Sequence, residues 1–221
     1  MLGYQFYWSI VWNSFPQLLI GAWVTIQITI LSFATGTLIA MPMAVARQKE
    51  SGLGYLVSTA WVELSRNTPV LFQVFMIYFG LGALGINISS YISVLAAISF
   101  NNAGYLAEIF RGGIATIPRQ QLSAARSLGM NGFQSFTYVI FPQVFKIIFL
   151  AFVTQGIWGM LNTSLGMLVG LRELAGAAHY AQSLSFRTFE FFIVIAGLYY
   201  VIAKALQVSA HLAFKLMYGR S

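Results

Sequence analysis

The side chains able to do chemistry in this 221-residue chain are few: Lys+Arg 12 and Asp+Glu 5. Two ion pairs are spaced i,i+3, Glu63 with Arg66 and Glu108 with Arg111. On a helix such neighbours meet on one face. Mutual neutralisation at a helix end accounts for Glu108 and Arg111. Arg66 is followed by Asn67-Thr68-Pro69, a break that would open its guanidinium to a pathway. A guanidinium can hold a carboxylate through two parallel hydrogen bonds. Inside apolar stretches lie Gln27, Gln73, Asn101, Asn102, Gln155, Asn162, Thr163 and Ser164. Amides and hydroxyls in hydrocarbon need partners, and bonding between helices satisfies most of them singly. The run Asn162-Thr163-Ser164 is different, because glycines flank it at Gly156, Gly159, Gly166 and Gly170. Three adjacent hydrogen-bonding side chains beside small residues can line a path for a polar solute. Arg66, Thr68, Gln73, Asn162, Thr163 and Ser164 are therefore the candidate pathway residues.

Other chemistry is missing. No Gly-x-x-x-x-Gly-Lys-[Ser/Thr] occurs, so the chain has no loop to cradle ATP phosphates. His179 and His211 lack a metal-ligand spacing, and no metal site is expected. Cysteine is absent, which removes disulfides, thiolate metal sites and cysteine nucleophiles. None of the five acids is placed at mid-membrane depth, as a proton-driven carrier would require. The chain is not expected to catalyse a reaction or bind a cofactor by itself.

The elements that must position these groups are membrane helices. The chain is 58% hydrophobic and 8% charged, against about 25% charged in soluble domains. A span needs about 20 apolar residues to cross about 30 Å of hydrocarbon. Charges then leave room for five, at about 18–45, 54–81, 90–111, 136–165 and 189–208, forming one all-α transmembrane domain over residues 1–221. Pro16 falls near the start of the first span, Pro42 near its end and Pro142 in the first turns of the fourth. Glycines 80, 82 and 85 with Asn87, Ser89 and Ser90 supply the turn between spans two and three. Residues 169–187 read as a looser segment. One side collects Arg47, Lys49, Arg66, Arg111, Arg119, Arg126, Lys146, Lys204, Lys215 and Arg220, and the other only Arg172 and Arg187. Ten against two puts the N-terminus outside and the C-terminus in the cytoplasm. Tyr4, Phe6, Tyr7, Trp8 and Trp12 read as an interfacial aromatic belt rather than a cleaved signal peptide.

Between spans three and four runs a polar hinge, residues 112–135. Pro118 suits a first helical turn, Ala124, Ala125 and Leu128 favour helix, and Gly129 can end it in the left-handed conformation. Asn131 and Gln134 have the spacing of a capping box. The expectation is helix, glycine break, helix: a structured docking surface in the cytoplasm.

Ala124-Ala125-x-x-Leu128-Gly129, followed by Ile140-Phe141-Pro142, resembles the cytoplasmic loop of permease subunits of bacterial ATP-binding-cassette importers. Glu63-x-x-Arg66-Asn67-Thr68-Pro69-Val70-Leu71-x-Gln73, Tyr78-Phe79-Gly80-Leu81, Ala107-Glu108-Ile109-Phe110-Arg111-Gly112-Gly113-Ile114 and Asn162-Thr163-Ser164-Leu165 look like the polar amino acid subfamily. The resemblance covers about residues 14–215. It implies a five-span permease that forms the pathway with a second permease, identical or paralogous. Each would dock an ATPase through Ser123, Ala124, Ala125, Leu128 and Gly129, with ATP and Mg held by the ATPase. A solute-binding protein would deliver the amino acid at the outer face of a bacterial inner membrane. Two departures stand out: Ser123 replaces the usual Glu, and Asn162 stands where an acid is common. The alternatives are a stand-alone carrier or channel for small polar solutes, and a structural membrane-assembly subunit. Neither needs a capped, glycine-broken docking loop.

Overall fold

The computed structural model describes residues 4–219, so Arg220, counted above, lies outside the described residues. Described residues are helical or in short connections, with no strand among them. The helical runs are α1 (Trp8–Arg47), α2 (Leu53–Asn67), α3 (Val70–Ala83), α4 (Ser90–Ala115), α5 (Arg119–Ser127), α6 (Gly132–Val169), α7 (Leu174–Ser185) and α8 (Thr188–Tyr218). Among the described residues, α1, α6 and α8 are long and apolar enough to cross a membrane. Only 11% of the most apolar stretch of α8 is buried within the chain. Such helices keep a large apolar surface that water would penalise and lipid does not.

Helices α1, α4, α6 and α8 are longer than the expected spans, and three expectations change. The second span is not continuous. α2 stops at Asn67 with Thr68 extended at φ −117, ψ 143, and the chain resumes as α3 at Val70. Pro69 disfavours helix at the residue before it, which gives the break its cause. Residues 169–187 are not loose, because α7 occupies most of them and buries residues 174–178 and Ala181. Its start is held by Glu173, whose carboxylate accepts the N–H groups of Ala175 (3.0 Å) and Gly176 (2.7 Å). Gly80 and Gly82 lie within α3, and the turn falls after it, at Gly85 with φ +83. α1 runs through Pro16 and Pro42 without ending. Pro142 follows a π-helical turn, Phe136–Ile140. Such a turn widens the backbone where a proline cannot donate.

The chain divides into two compact units. One comprises residues up to 32, 70–98 and from 157 on. Its first core joins Val11, Leu18 and Ala22 of α1 to Leu174, Ala177, Ala178 and Ala181 of α7 and to Phe191 and Ile195 of α8. The α7 set repeats at i, i+3, i+4, i+7, a single helix face. A second core gathers Ile28, Val74, Val94, Ala97, Ile98, Val169 and Leu171. The other unit comprises residues 33–69 and 99–156. Its core joins Ala40, Met43 and Ala44 to Val62, to Leu106, Ala107 and Phe110, and to Ile140, Val144 and Ile148. The polar hinge belongs to this unit.

Candidate functional site

The hinge is ordered by its own backbone bonds. α5 begins directly after Pro118, which sits at the N-cap in extended conformation rather than in the first turn. At the other end Gly129 adopts φ +81. Its N–H donates to the Arg126 carbonyl (3.0 Å) and the Met130 N–H to the Ala125 carbonyl (3.2 Å). This 6→1 and 5→2 pair closes a helix around a left-handed residue. The next helix opens two residues later. Asn131 Oδ1 accepts the Gln134 N–H and Gln134 Oε1 accepts the Asn131 N–H, both at 2.9 Å. The expected capping box is therefore formed. Gln143 Nε2 on α6 donates to Gln121 Oε1 on α5 at 2.6 Å, tying the hinge helix to the longer one.

The predicted coupling residues divide by direction. Ser123, Ala124, Leu128 and Gly129 are exposed, whereas Ala125 is 3% exposed. The small size of Ala125 thus serves packing within the chain. Ser123 is occupied by its own helix, its hydroxyl donating to the Arg119 carbonyl at 3.3 Å. Leu128 is 80% exposed, and Phe133 (78%) joins it as an outward-facing apolar group, with Leu122 and Tyr138 also exposed. Sequence reading passed over Leu122, Phe133 and Tyr138. For Leu122 and Phe133 the available signal was their large apolar character in a run otherwise rich in polar side chains, whereas Tyr138 lies among apolar residues of the expected fourth span and carried no such signal. The hinge thus joins a glycine-closed helix to a capped one and holds large apolar side chains outward.

The pathway residues fall in both compact units. Arg66 and Thr68 belong to the unit of residues 33–69 and 99–156, and Gln73 and Asn162–Ser164 to the other. Gln73 is buried on α3. Thr68 donates to the Leu64 carbonyl at 2.6 Å, which caps the end of α2. Thr163 and Ser164 open the 3-10 turn that ends α6. Their hydroxyls donate back to the Met160 (2.7 Å) and Leu161 (2.8 Å) carbonyls. Asn162 ends the regular part of that helix, half-buried. Arg66 does not pair with Glu63, which instead accepts from Asn67 Nδ2 at 2.5 Å. Its guanidinium lies over the Tyr105 ring, 5.3 Å from the centroid, and 3.6 Å from Glu108. Glu108 also pairs with Arg111 and Arg47. The Arg47 partner lies 61 residues away in the sequence, beyond any local spacing rule.

A family profile described as "Binding-protein-dependent transport system inner membrane component" matches residues 36–214. The octopine transport system permease protein of Rhizobium radiobacter is 29% identical over 203 residues, covering 88% of this chain and 83% of that protein. The glutamine transport system permease protein of Escherichia coli K12 is 29% identical over 204 residues, covering 91% and 93%. Among solved structures, an amino acid ABC transporter crystallised with histidines superposes with a TM-score of 0.83 at 30% identity, covering 95% of this chain and 98% of that one. A methionine ABC transporter in an inward-facing conformation superposes with a TM-score of 0.70 at 19% identity, covering 88% and 95%, a likeness of fold.

Proposed function

The chain belongs to the binding-protein-dependent transport system inner membrane components, and from that premise we propose that it is the permease subunit of an ATP-driven importer of a polar amino acid. It crosses the membrane five times, with the N-terminus outside and the α5 hinge and the C-terminus in the cytoplasm. It lies in a bacterial inner membrane. A second permease, identical or paralogous, completes the pathway with it. An ATPase subunit docks on the hinge and holds ATP and Mg. A solute-binding protein presents the amino acid at the outer face. Arg66, Thr68, Gln73 and Asn162–Ser164 meet the α-carboxylate and α-amino groups that all such substrates share.

One observation carries the reading: the hinge is a helix–glycine–helix, closed by backbone bonds at Gly129 and capped at Asn131, with Leu128 and Phe133 turned outward. A carrier or channel gains nothing from ordering such a surface. Relatives named for glutamine and octopine transport agree with a polar amino acid as cargo.

The test co-expresses the chain with its ATPase subunit. The double variant Leu128→Ser, Phe133→Ser inserts in the membrane at the wild-type level and loses ATPase co-purification. Retained association would overturn the docking assignment. Competition of uptake by a panel of amino acids then identifies the cargo.

A further inference from the structure

Three guanidiniums converge on one carboxylate beside the hinge. Glu108 lies on α4, seven residues before its end at Ala115. Its Oε1 accepts from Arg47 Nη1 and from Arg111 Nε at 2.9 Å, and its Oε2 accepts from Arg111 Nη2 at 3.0 Å. Oε2 also faces Arg66 Nη1 at 3.6 Å. Arg47 is the last residue of α1, and Arg66 is the last but one of α2. Gln48, just past α1, donates to the Arg111 carbonyl at 3.1 Å. One side chain of α4 thus holds the C-terminal ends of two other helices.

The charge balance makes this carboxylate hard to replace. The Glu108 side chain is 19% exposed and that of Arg47 13%. Without the negative charge, three cations would face one another where water screens them incompletely. The arms also differ. Arg111 grips both oxygens from the same helix and moves with Glu108. Arg47 bonds directly. Arg66 is beyond hydrogen-bond distance and shares its charge with the Tyr105 ring, so it is the arm most able to change partner. α4 continues to Ala115, and residues 116–118 lead straight into α5. A displacement of α5 is therefore passed through three connecting residues to the end of α4, seven residues from Glu108.

We propose that Glu108 is the positioning residue that passes movement of α5 to the C-terminal ends of α1 and α2, through its ion pairs with Arg47 and Arg66. This inference rests on the importer reading and names how its docking site acts on the rest of the unit.

The test reconstitutes the chain with its ATPase and solute-binding protein in proteoliposomes and measures uptake of a labelled mixture of the twenty amino acids. Glu108→Gln keeps the shape and removes the charge. It still co-purifies with the ATPase and still hydrolyses ATP, while uptake falls about tenfold, so more ATP is consumed per amino acid moved. Arg47→Gln behaves alike, and the double variant is no worse than the poorer single one, as expected of groups acting as a unit. Glu108→Asp keeps the charge and recovers much of the uptake. Uptake by Glu108→Gln within about twofold of wild type overturns the proposal, as do losses that multiply in the double variant. Loss of ATPase co-purification by both Glu108 variants also overturns it, since Glu108 would then be an assembly residue. A wild-type preparation that takes up no amino acid overturns the importer reading instead.

Discussion

The Ser65 side chain fills the space that a Cβ on residue 104 would need. Gly104 on α4 faces Ser65 on α2, and an added methyl would run into the Ser65 hydroxyl with the Ser65 Cβ 2.8 Å away. Ser65 has little room to retreat. Its hydroxyl donates to the Val62 carbonyl at 3.1 Å, and its carbonyl accepts from Asn101 Nδ2 at 2.8 Å. Gly104→Ala is expected to destabilise the protein by about 1–3 kcal/mol, the usual cost of overpacking. Thermal unfolding in detergent measures it, and adding Ser65→Gly should recover part of the loss. A Gly104→Ala variant as stable as wild type would mean that α2 and α4 are not in this contact.

Glu173 is fully buried and takes its donors from three helices. Besides Ala175 and Gly176 of α7, Thr25 Oγ1 of α1 (3.3 Å) and the Tyr199 hydroxyl of α8 (2.8 Å) donate to it. Every one of these contacts needs an acceptor. Glu173→Gln keeps the volume but turns an amide N–H toward N–H or O–H groups, leaving buried donors unmet. The expected loss is about 1–3 kcal/mol. Tyr199→Phe removes a single donor, with an expected loss of about 1 kcal/mol. Equal effects of the two substitutions on unfolding temperature would contradict this ranking.

A second carboxylate fastens the chain ahead of α1. Glu190 Oε2 accepts the Tyr4 hydroxyl at 2.5 Å and Oε1 the Tyr7 N–H at 3.0 Å. Arg187 Nη1 donates to the Gln5 carbonyl at 3.0 Å. Glu190→Gln should lower the protection of the Tyr7 amide against hydrogen exchange, and Tyr4→Phe should do so to a smaller degree. The hydrogen bond to Glu190 raises the Tyr4 pKa above its ordinary 10.0. Its contribution is therefore complete below pH 10.0 and is lost as pH rises through the higher folded value. A protection factor at Tyr7 that already falls through neutral pH would contradict this assignment.

Legibility in the sequence followed the range of the interaction. The helical class came from composition, and the hinge came from local rules, because its glycine closure and capping box join residues within five positions of one another. The contacts of Glu173 with Thr25 and Tyr199 span 148 and 26 residues, and those of Glu108 with Arg47 span 61. No periodicity reports such pairs. Residues 169–187 looked loose because Arg172, Glu173 and His179 interrupt the apolar pattern. The structure shows Glu173 to be the cap that starts α7. Glu63 and Arg66 had the right spacing, yet Arg66 turns to Glu108, a more heavily shared carboxylate. Spacing shows which side chains can meet, and competition in three dimensions decides which do.

Gly129 separates a local conformational role from a contact role. At φ +81 it sits where a β-branched residue is strained by about 1–2 kcal/mol, yet a Cβ added there meets nothing within 4 Å of this chain. Asparagine tolerates the left-handed conformation; valine does not. If Gly129 matters only for closing α5, Gly129→Asn should bind the ATPase nearly as well as wild type and Gly129→Val should bind poorly. If the partner approaches the bare backbone, both should fail, because the open space beside Gly129 is filled by the ATPase in the complex. The importer reading predicts the second outcome: both variants insert normally, and both lose ATPase co-purification. Normal association of Gly129→Asn would reduce Gly129 to a helix terminator and leave the exposed Leu128 and Phe133 as the contact surface.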